Sequence, residues 1–188
     1  MNLFEYQAKE AFRECGITTP RGVLVRSVEE LDAAFAETGF PCVLKSQVLR
    51  GGRGKAGLIR VAGDAETGKK EAGELFASGH NVRMLLVEQA VDIAREIYLS
   101  MTVDPVSGTA LLMGCAEGGV DIESLAATQP EKIVRVHVDM AEGLGGYHVN
   151  NLIYGMGLSG EEAKQVGAAA RGLYKVFRVR DAQLAEIN

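Results

Sequence analysis

Residues 48–62 read VLRGGRGKAGLIRVA. Four glycines fall within the seven residues from Gly51 to Gly57; Arg53 and Lys55 stand among them and Arg50 directly before. A stretch this flexible and this cationic suits a phosphate. Without Cβ atoms the backbone can approach an anion closely, and the basic side chains add charge. Gly52-Arg-Gly-Lys-Ala-Gly57 has the form G-x-G-x-x-G, but the dinucleotide fingerprint needs a helix directly after the loop to carry the pyrophosphate on its N-terminus. The residues that follow, LIRVA, are β formers, so that reading fails on context. A P-loop fails too: Ala56 follows Lys55, which leaves no hydroxyl for magnesium, and Leu49 stands where the first glycine belongs. What remains is strand, glycine loop, strand. Such a hairpin can fold over nucleotide phosphates, as the glycine-rich loop of protein kinases does. Lys45 alternates with Val43 and Gln47 on the first strand and can point at the same anion. No H-R-D or D-F-G motif follows, so the loop points to a nucleotide but not to a kinase. A plain solvated turn is the competing reading.

Outward from the loop, the chain reads as alternating helices and strands. Leu3, Phe4, Ala8, Ala11, Phe12 and Cys15 recur at helical spacing over residues 3–15, with Gly16 as a stop. Residues 21–26 read as a strand. Ser27-Val-Glu-Glu30 reads as a capping box opening a helix that ends near Gly39. CVLKSQV and LIRVA flank the glycine loop as strands, Asp64 caps a helix to about Ala77, and VRMLLVEQA is a further strand. Beyond residue 92 the signals are those of a hairpin: EIYLSMTVD alternates Glu96, Tyr98, Ser100 and Thr102 with Ile97, Leu99, Met101 and Val103. Asp104–Gly108 is a turn, and TALLMGCA returns. A short helix in GVDIESLAAT, a strand in KIVRVHVD, a second capping box at Ser159-Gly-Glu-Glu162 opening a helix to about Phe177, and a strand start over 182–187 complete the pattern. A β-α-β-β-α-β unit before residue 92 and a hairpin-based unit after it predict an α+β fold rather than a doubly wound sheet.

The 188 residues carry a formal net charge of −5, which argues against a general nucleic-acid binder. No apolar run approaches the roughly 20 residues of a membrane span. The N-terminus lacks a signal-peptide core. Cys15, Cys42 and Cys115 fit no metal-ligand spacing and point to a reducing, cytoplasmic setting. Among the acids, Glu88 ends the strand MLLVE, a place suited to an adenine or ribose contact, though a solvent-facing strand end is the simpler reading. Glu96 begins the alternating strand. Glu117 to Glu123 sets acids around a glycine pair at a strand-to-helix turn. Glu186 and Asn188 alternate around Ile187 and share a strand face, and an acid beside an amide offers hard oxygen ligands for magnesium. His80, His137 and His148 are scattered and read as structural.

The chain resembles the N-terminal, ATP-grasp portion of the β subunit of succinyl-CoA synthetase. The likeness lies in NLFEYQAKE, LKSQVLRGGRGKAG, LLVEQAVDIAREIYLS, AEGGVDIE and LAEIN, in that order along the whole chain. It implies an α+β ATP-grasp fold of two lobes, with antiparallel or mixed sheets and flanking helices. Residues 20–92 would form the nucleotide-binding lobe with the glycine hairpin. Residues 1–19 and 93–188 would form a second, incomplete lobe. The resemblance implies a nucleotide between the lobes whose γ-phosphoryl passes to a histidine of a partner α subunit, then to a carboxylic acid, before CoA displaces it. By position, Lys45 and Gly52-Arg53-Gly54 hold phosphates, Glu88 and Glu96 contact the nucleoside, and Val91 lies near the base. Asn188 is a Mg2+ ligand, and Glu186 stands at the phosphohistidine's landing place. No nucleic acid or membrane partner is implied. Leu49-Arg50 departs from the His-Ala or Leu-Ala found in several members, which leaves ATP or GTP open. The β subunits of malate–CoA ligase and the related part of ATP-citrate lyase share the motifs, so succinate is one acid among several. Family members continue from EIN to a second metal-ligand acid and a further domain. The 188 residues alone are therefore expected to be truncated at the C-terminal end and to bind metal–nucleotide weakly.

Overall fold

The computed structural model describes residues 1–119 and 122–188, leaving Val120 and Asp121 of the glycine-pair turn outside the described residues. The chain divides into two compact units, Met1–Ala11 with Thr18–Asp92 and Phe12–Ile17 with Ile93–Asn188. Sequence alone assigns 1–19 to the second lobe as a piece. Instead helix α1 (Glu5–Glu14) contributes its first turns to the first unit. The reason is polar: Gln47 accepts a hydrogen bond from the Tyr6 N–H at 3.1 Å, and Glu5 and Lys9 pair with charges on the sheet.

The first unit contains β1 (Gly22–Val25), α2 (Leu31–Thr38), β2 (Cys42–Ser46), β3 (Ile59–Ala62), α3 (Ala65–Phe76) and β4 (Leu85–Gln89). The strands lie in the order β1-β4-β2-β3, every neighbour antiparallel. Alternation along a strand decides which side chains meet the helices. Cys42 and Leu44 of β2 and Leu85 and Val87 of β4 are buried with Leu31, Ala34 and Phe35 of α2 and Ala72 and Leu75 of α3. Val43, Lys45, Leu86 and Glu88 therefore face the opposite side of the sheet. Val43 is registered opposite Glu88, and Lys45 opposite Leu86, which makes Lys45 and Glu88 diagonal neighbours on that face. Asp64 caps α3, its Oδ1 accepting from the Thr67 N–H at 2.8 Å. The pattern at Ser27 does not close as a capping box. Ser27 makes no side-chain cap bond, the chain takes a 3-10 turn over Val28–Glu30, and the Glu30 carboxylate accepts instead from the Arg26 N–H at 2.7 Å.

The second unit contains β5 (Tyr98–Asp104), β6 (Thr109–Cys115), α4 (Ile122–Thr128), β7 (Val134–Val138), α5 (Gly146–Gly155), α6 (Gly160–Val179) and β8 (Leu184–Ile187). Its sheet runs β7-β6-β5-β8, again antiparallel throughout. Buried Val166, Ala170, Leu173 and Phe177 mark the inner stripe of α6. Ser159 makes no side-chain cap bond there. Helix α5 has no counterpart in the sequence reading. It buries Val149 and Leu152, and His148 Nδ1 accepts from the Gly145 N–H at 2.9 Å to hold its first turn. A Cβ at Gly114 of β6 would stand 2.5 Å from Met156 Sδ and 2.8 Å from Leu152 Cδ1, so any side chain there would require Met156 and Leu152 to shift. The alternation of β5 does not divide water from core. Leu99 and Met101 are buried, and so are Tyr98 and Ser100 on the opposite face, where Tyr98 packs with Cys115, Leu125 and Ile133. Among the described residues no helix is long and apolar enough to cross a membrane.

Candidate functional site

The face of the first sheet opposite α2 and α3, which the first turns of α1 meet, carries a cluster of five charged side chains. Lys45 of β2 donates to Glu88 of β4 and, at 3.2 Å, to Glu5 of α1. Lys9, one turn beyond Glu5, donates to Glu88 and lies 2.9 Å from the Glu5 carboxylate. Arg53, from the glycine loop, approaches Glu5 at 2.7 Å and donates to the Ser46 carbonyl at 3.1 Å. Two carboxylates thus bind two ammonium groups in a closed ring, with a guanidinium at its side. Burial pushes the Glu5 carboxyl up, but Lys45, Lys9 and Arg53 together outweigh it and hold the group at about 2. Burial likewise pulls the Lys45 ammonium down, and Glu5 and Glu88 more than reverse this, so its affinity for a proton is raised. Three cations against two anions leave the cluster one positive charge in excess, and such an excess on a half-covered face attracts an anion.

The hairpin expected from the sequence is present, with β2 and β3 as its arms. Its loop is tighter than a simple glycine flap. The Gly52 carbonyl accepts from the Ala56 N–H and the Gly54 carbonyl from the Gly57 N–H, both at 3.0 Å. The Arg53 carbonyl accepts from the Leu58 N–H at 2.9 Å. The turn uses positive φ at Gly52 (68°) and Gly57 (68°), which glycine adopts without strain. The effect is to seat Arg53 over the end of β2, on the side where Lys45 points.

Glu88 is buried, with 4% of its side chain exposed. The simpler reading of a solvent-facing strand end is therefore wrong, and the cause is its pairing with Lys9 and Lys45. Val91 is exposed in the connection after β4. Sequence reasoning missed Glu5 and Lys9, which it placed only on an amphipathic helix. Their i,i+4 spacing was the available signal.

The other candidate residues gather in the second unit. Glu96 lies ahead of β5 and is exposed. Its carbonyl accepts from the Gly118 N–H at 2.8 Å. Asn188 Oδ1 accepts from the Gly119 N–H, also at 2.8 Å. A Cβ at Gly119 would stand 1.9 Å from Glu96 Oε2, so the absence of a side chain there lets Glu96 and Asn188 meet the same backbone. Glu186 is registered opposite Ser100 and accepts from the Tyr98 hydroxyl at 3.3 Å. Burial raises the Tyr98 phenol, and the neighbouring Glu186 carboxylate raises it further. Glu96, Glu186 and Asn188 thus offer oxygen atoms of the hard type that Mg2+ takes. Among the described residues no three His, Cys, Asp or Glu side chains cluster as a complete metal cage, so Mg2+ here would need oxygens from a bound phosphate. The histidines have other work: His148 holds the first turn of α5, His137 lies 3.1 Å from Thr109 Oγ1, and His80 lies 3.5 Å from Arg50.

The ATP-grasp domain family matches residues 2–188. The chain belongs to the ATP-grasp family. This ATP-grasp chain is 75% identical over 188 residues, all of its length and 50% of the relative's, to the ADP-forming sulfoacetate–CoA ligase subunit SauC of Bilophila wadsworthia. It is 46% identical over 191 residues, again all of its length and 50% of the relative's, to the β subunit of the ADP-forming succinate–CoA ligase of Rubrobacter xylanophilus. It spans about half the length of the curated relatives it matches. The crystal structure of PH1788 from Pyrococcus horikoshii shares the fold, with a TM-score of 0.80 at 18% identity over 99% of this ATP-grasp chain and 82% of that one.

Proposed function

We propose that this ATP-grasp chain is the nucleotide-binding part of an ADP-forming acid–CoA ligase, acting with a partner α subunit. The observation that carries the nucleotide half is that Lys45 and the hairpin cation Arg53, which stands between glycines 52 and 54, are both held by the Glu5 carboxylate. Two cations held side by side suit the β- and γ-phosphates of ATP, where positioning and charge neutralisation supply most of the catalysis. The ADP-forming relatives favour ATP over GTP. Mg2+, held by Asn188 and phosphate oxygens, would neutralise the charge that develops on the transferred group. Glu88 and Glu96 are assigned to the nucleoside and Val91 to the base. Glu186, oriented by Tyr98, is assigned to the landing place of a phosphohistidine from the α subunit. The sum is ATP, acid and CoA going to ADP, phosphate and the acyl-CoA.

For the acid, 75% identity to a sulfoacetate–CoA ligase subunit against 46% to a succinate–CoA ligase β subunit favours sulfoacetate. Succinate, with malate and citrate as related acids, is the second reading. A coupled assay for ADP release by the native protein with its α subunit tests the choice. ADP release that requires CoA and sulfoacetate, with succinate at least about tenfold slower in kcat/KM, is expected; tenfold is the discrimination that 1.4 kcal/mol supplies. Faster turnover with succinate would overturn the sulfoacetate assignment. No acid-dependent ADP release with any of the four acids would overturn the ligase reading.

A further inference from the structure

We propose that Glu5, in the first turn of α1, is a positioning residue for phosphate binding: its single carboxylate ties Lys45 of the sheet to Arg53 of the glycine hairpin. The inference rests on the ATP reading above and adds a residue to it from a part of the chain that carries no candidate site residue.

The geometry is specific. One Glu5 oxygen lies 2.9 Å from Lys9 and 3.2 Å from Lys45, while the other lies 2.7 Å from Arg53. That second oxygen is buried and receives no hydrogen bond of good alignment, so Arg53 is held by charge rather than by a fork-on-fork bond. Arg53 sits on a loop that turns through positive φ at Gly52 and Gly57. Unaided, a long side chain on a glycine-rich loop samples many rotamers, and freezing them on binding costs affinity. Glu5 is anchored on a helix and is itself fixed by Lys9, whose other carboxylate partner is Glu88. It is therefore a rigid point from which both cations can be set. Its charge does further work. With Glu5 removed, Lys9, Lys45 and Arg53 would face one another across Glu88 alone, and like charges at this spacing drive side chains apart. The ring would then open before a phosphate reached it.

A different role is conceivable on charge grounds. A carboxylate between two cations also competes with a phosphate for them, and removing it would then strengthen binding. The ring distinguishes the two roles. Glu5 shares Lys45 with Glu88, so each cation keeps donors beyond the one it gives to Glu5, and a phosphate can be met without expelling the carboxylate.

The test is a double-mutant cycle on the native protein, read by calorimetric titration with Mg-ATP. Glu5→Gln should weaken binding by about tenfold, toward the lower end of what losing a charge-assisted bond costs. Arg53→Ala should weaken it as well. The double variant should lose less than the sum of the two single losses, because part of the effect of Glu5 runs through the arginine. Glu5→Asp keeps the charge but shortens the reach, and covers the case in which the Gln variant fails to fold. It should remain several-fold weaker than the wild type, since one methylene less cannot span both cations. Tighter binding by Glu5→Gln, full additivity with Arg53→Ala, or wild-type affinity in Glu5→Asp would overturn the proposal while leaving the ATP reading in place. Absence of Mg-ATP binding by the wild type would overturn both.

Discussion

Glu88→Gln is expected to destabilise the first unit by about 3 to 5 kcal/mol, the range found when one partner of a buried ion pair is removed. Glu88 lies on the central strand β4 with 4% of its side chain exposed, and both of its oxygens are bonded, one to Lys9 and one to Lys45. Glutamine preserves the shape but cannot balance the charge. Three cations would then share Glu5 alone, and two of them, Lys9 and Lys45, would each lose a carboxylate partner. Water offers limited relief, because Lys9 and Lys45 are themselves largely covered. The exposed pair Arg21–Glu37 gives the contrast. At 3.7 Å, with side chains 65% and 56% exposed, it should contribute no more than about 1 kcal/mol. Urea unfolding followed by circular dichroism measures both. A loss under about 1 kcal/mol for Glu88→Gln, comparable to Glu37→Gln, would mean that the buried ring does not form as described.

The second large effect is on acid stability. The Glu5 carboxyl is held at about 2 against an ordinary 4.5, because three cations outweigh the burial that alone would raise it. A carboxyl depressed in the folded state stabilises that state in its charged form. Its contribution is complete above the unfolded value near 4.5 and disappears as the pH falls toward about 2. The interval corresponds to about 3 kcal/mol. Stability measured by urea titration should therefore be level from pH 7 to 5 as far as this group is concerned and fall between pH 4.5 and pH 2. Glu5→Gln should flatten that fall by most of the same amount. Asp64 and Asp104 are lowered as well, by hydrogen bonds from Thr67 and Ser107, but they lie away from the ring and persist in the variant, so they supply residual slope. An acid limb of equal steepness in wild type and Glu5→Gln would contradict the placement of Glu5 in the ring.

The architecture of the first unit was legible because its sequence signals are local. Glycines break the strands, Asp64 caps α3, and alternation separates Leu44 from Lys45 along β2. Three features were not. Helix α5 begins in GLGGYHV, where glycines lower helix propensity, and it is held by tertiary packing of Val149 and Leu152 and by a histidine cap. Ser27 and Ser159 have capping-box spacing, yet neither side chain caps, since a 3-10 turn or a backbone contact can satisfy the same N–H groups. Glu88 looked exposed because a lone acid at a strand end has no partner in the linear sequence. Its partners, Lys9 and Lys45, lie 79 and 43 residues away. The same distance in sequence hid Glu5. Long-range charge pairing leaves no periodic trace, whereas apolar burial does.

The role proposed for Lys45, holding the phosphates of ATP, is the point on which the proposed function turns, and steady-state ADP release by the native protein with its proposed α subunit, with and without that lysine, addresses it directly. Lys45→Ala, confirmed as folded by circular dichroism, should lower kcat/KM for Mg-ATP by roughly 10- to 150-fold, the equivalent of about 1.5 to 3 kcal/mol for a lost charged hydrogen bond. The KM values for the acid and for CoA should stay near those of the wild type. An unchanged kcat/KM for Mg-ATP in the folded variant would contradict the assignment of Lys45, and with it the reading of the glycine hairpin as a phosphate site.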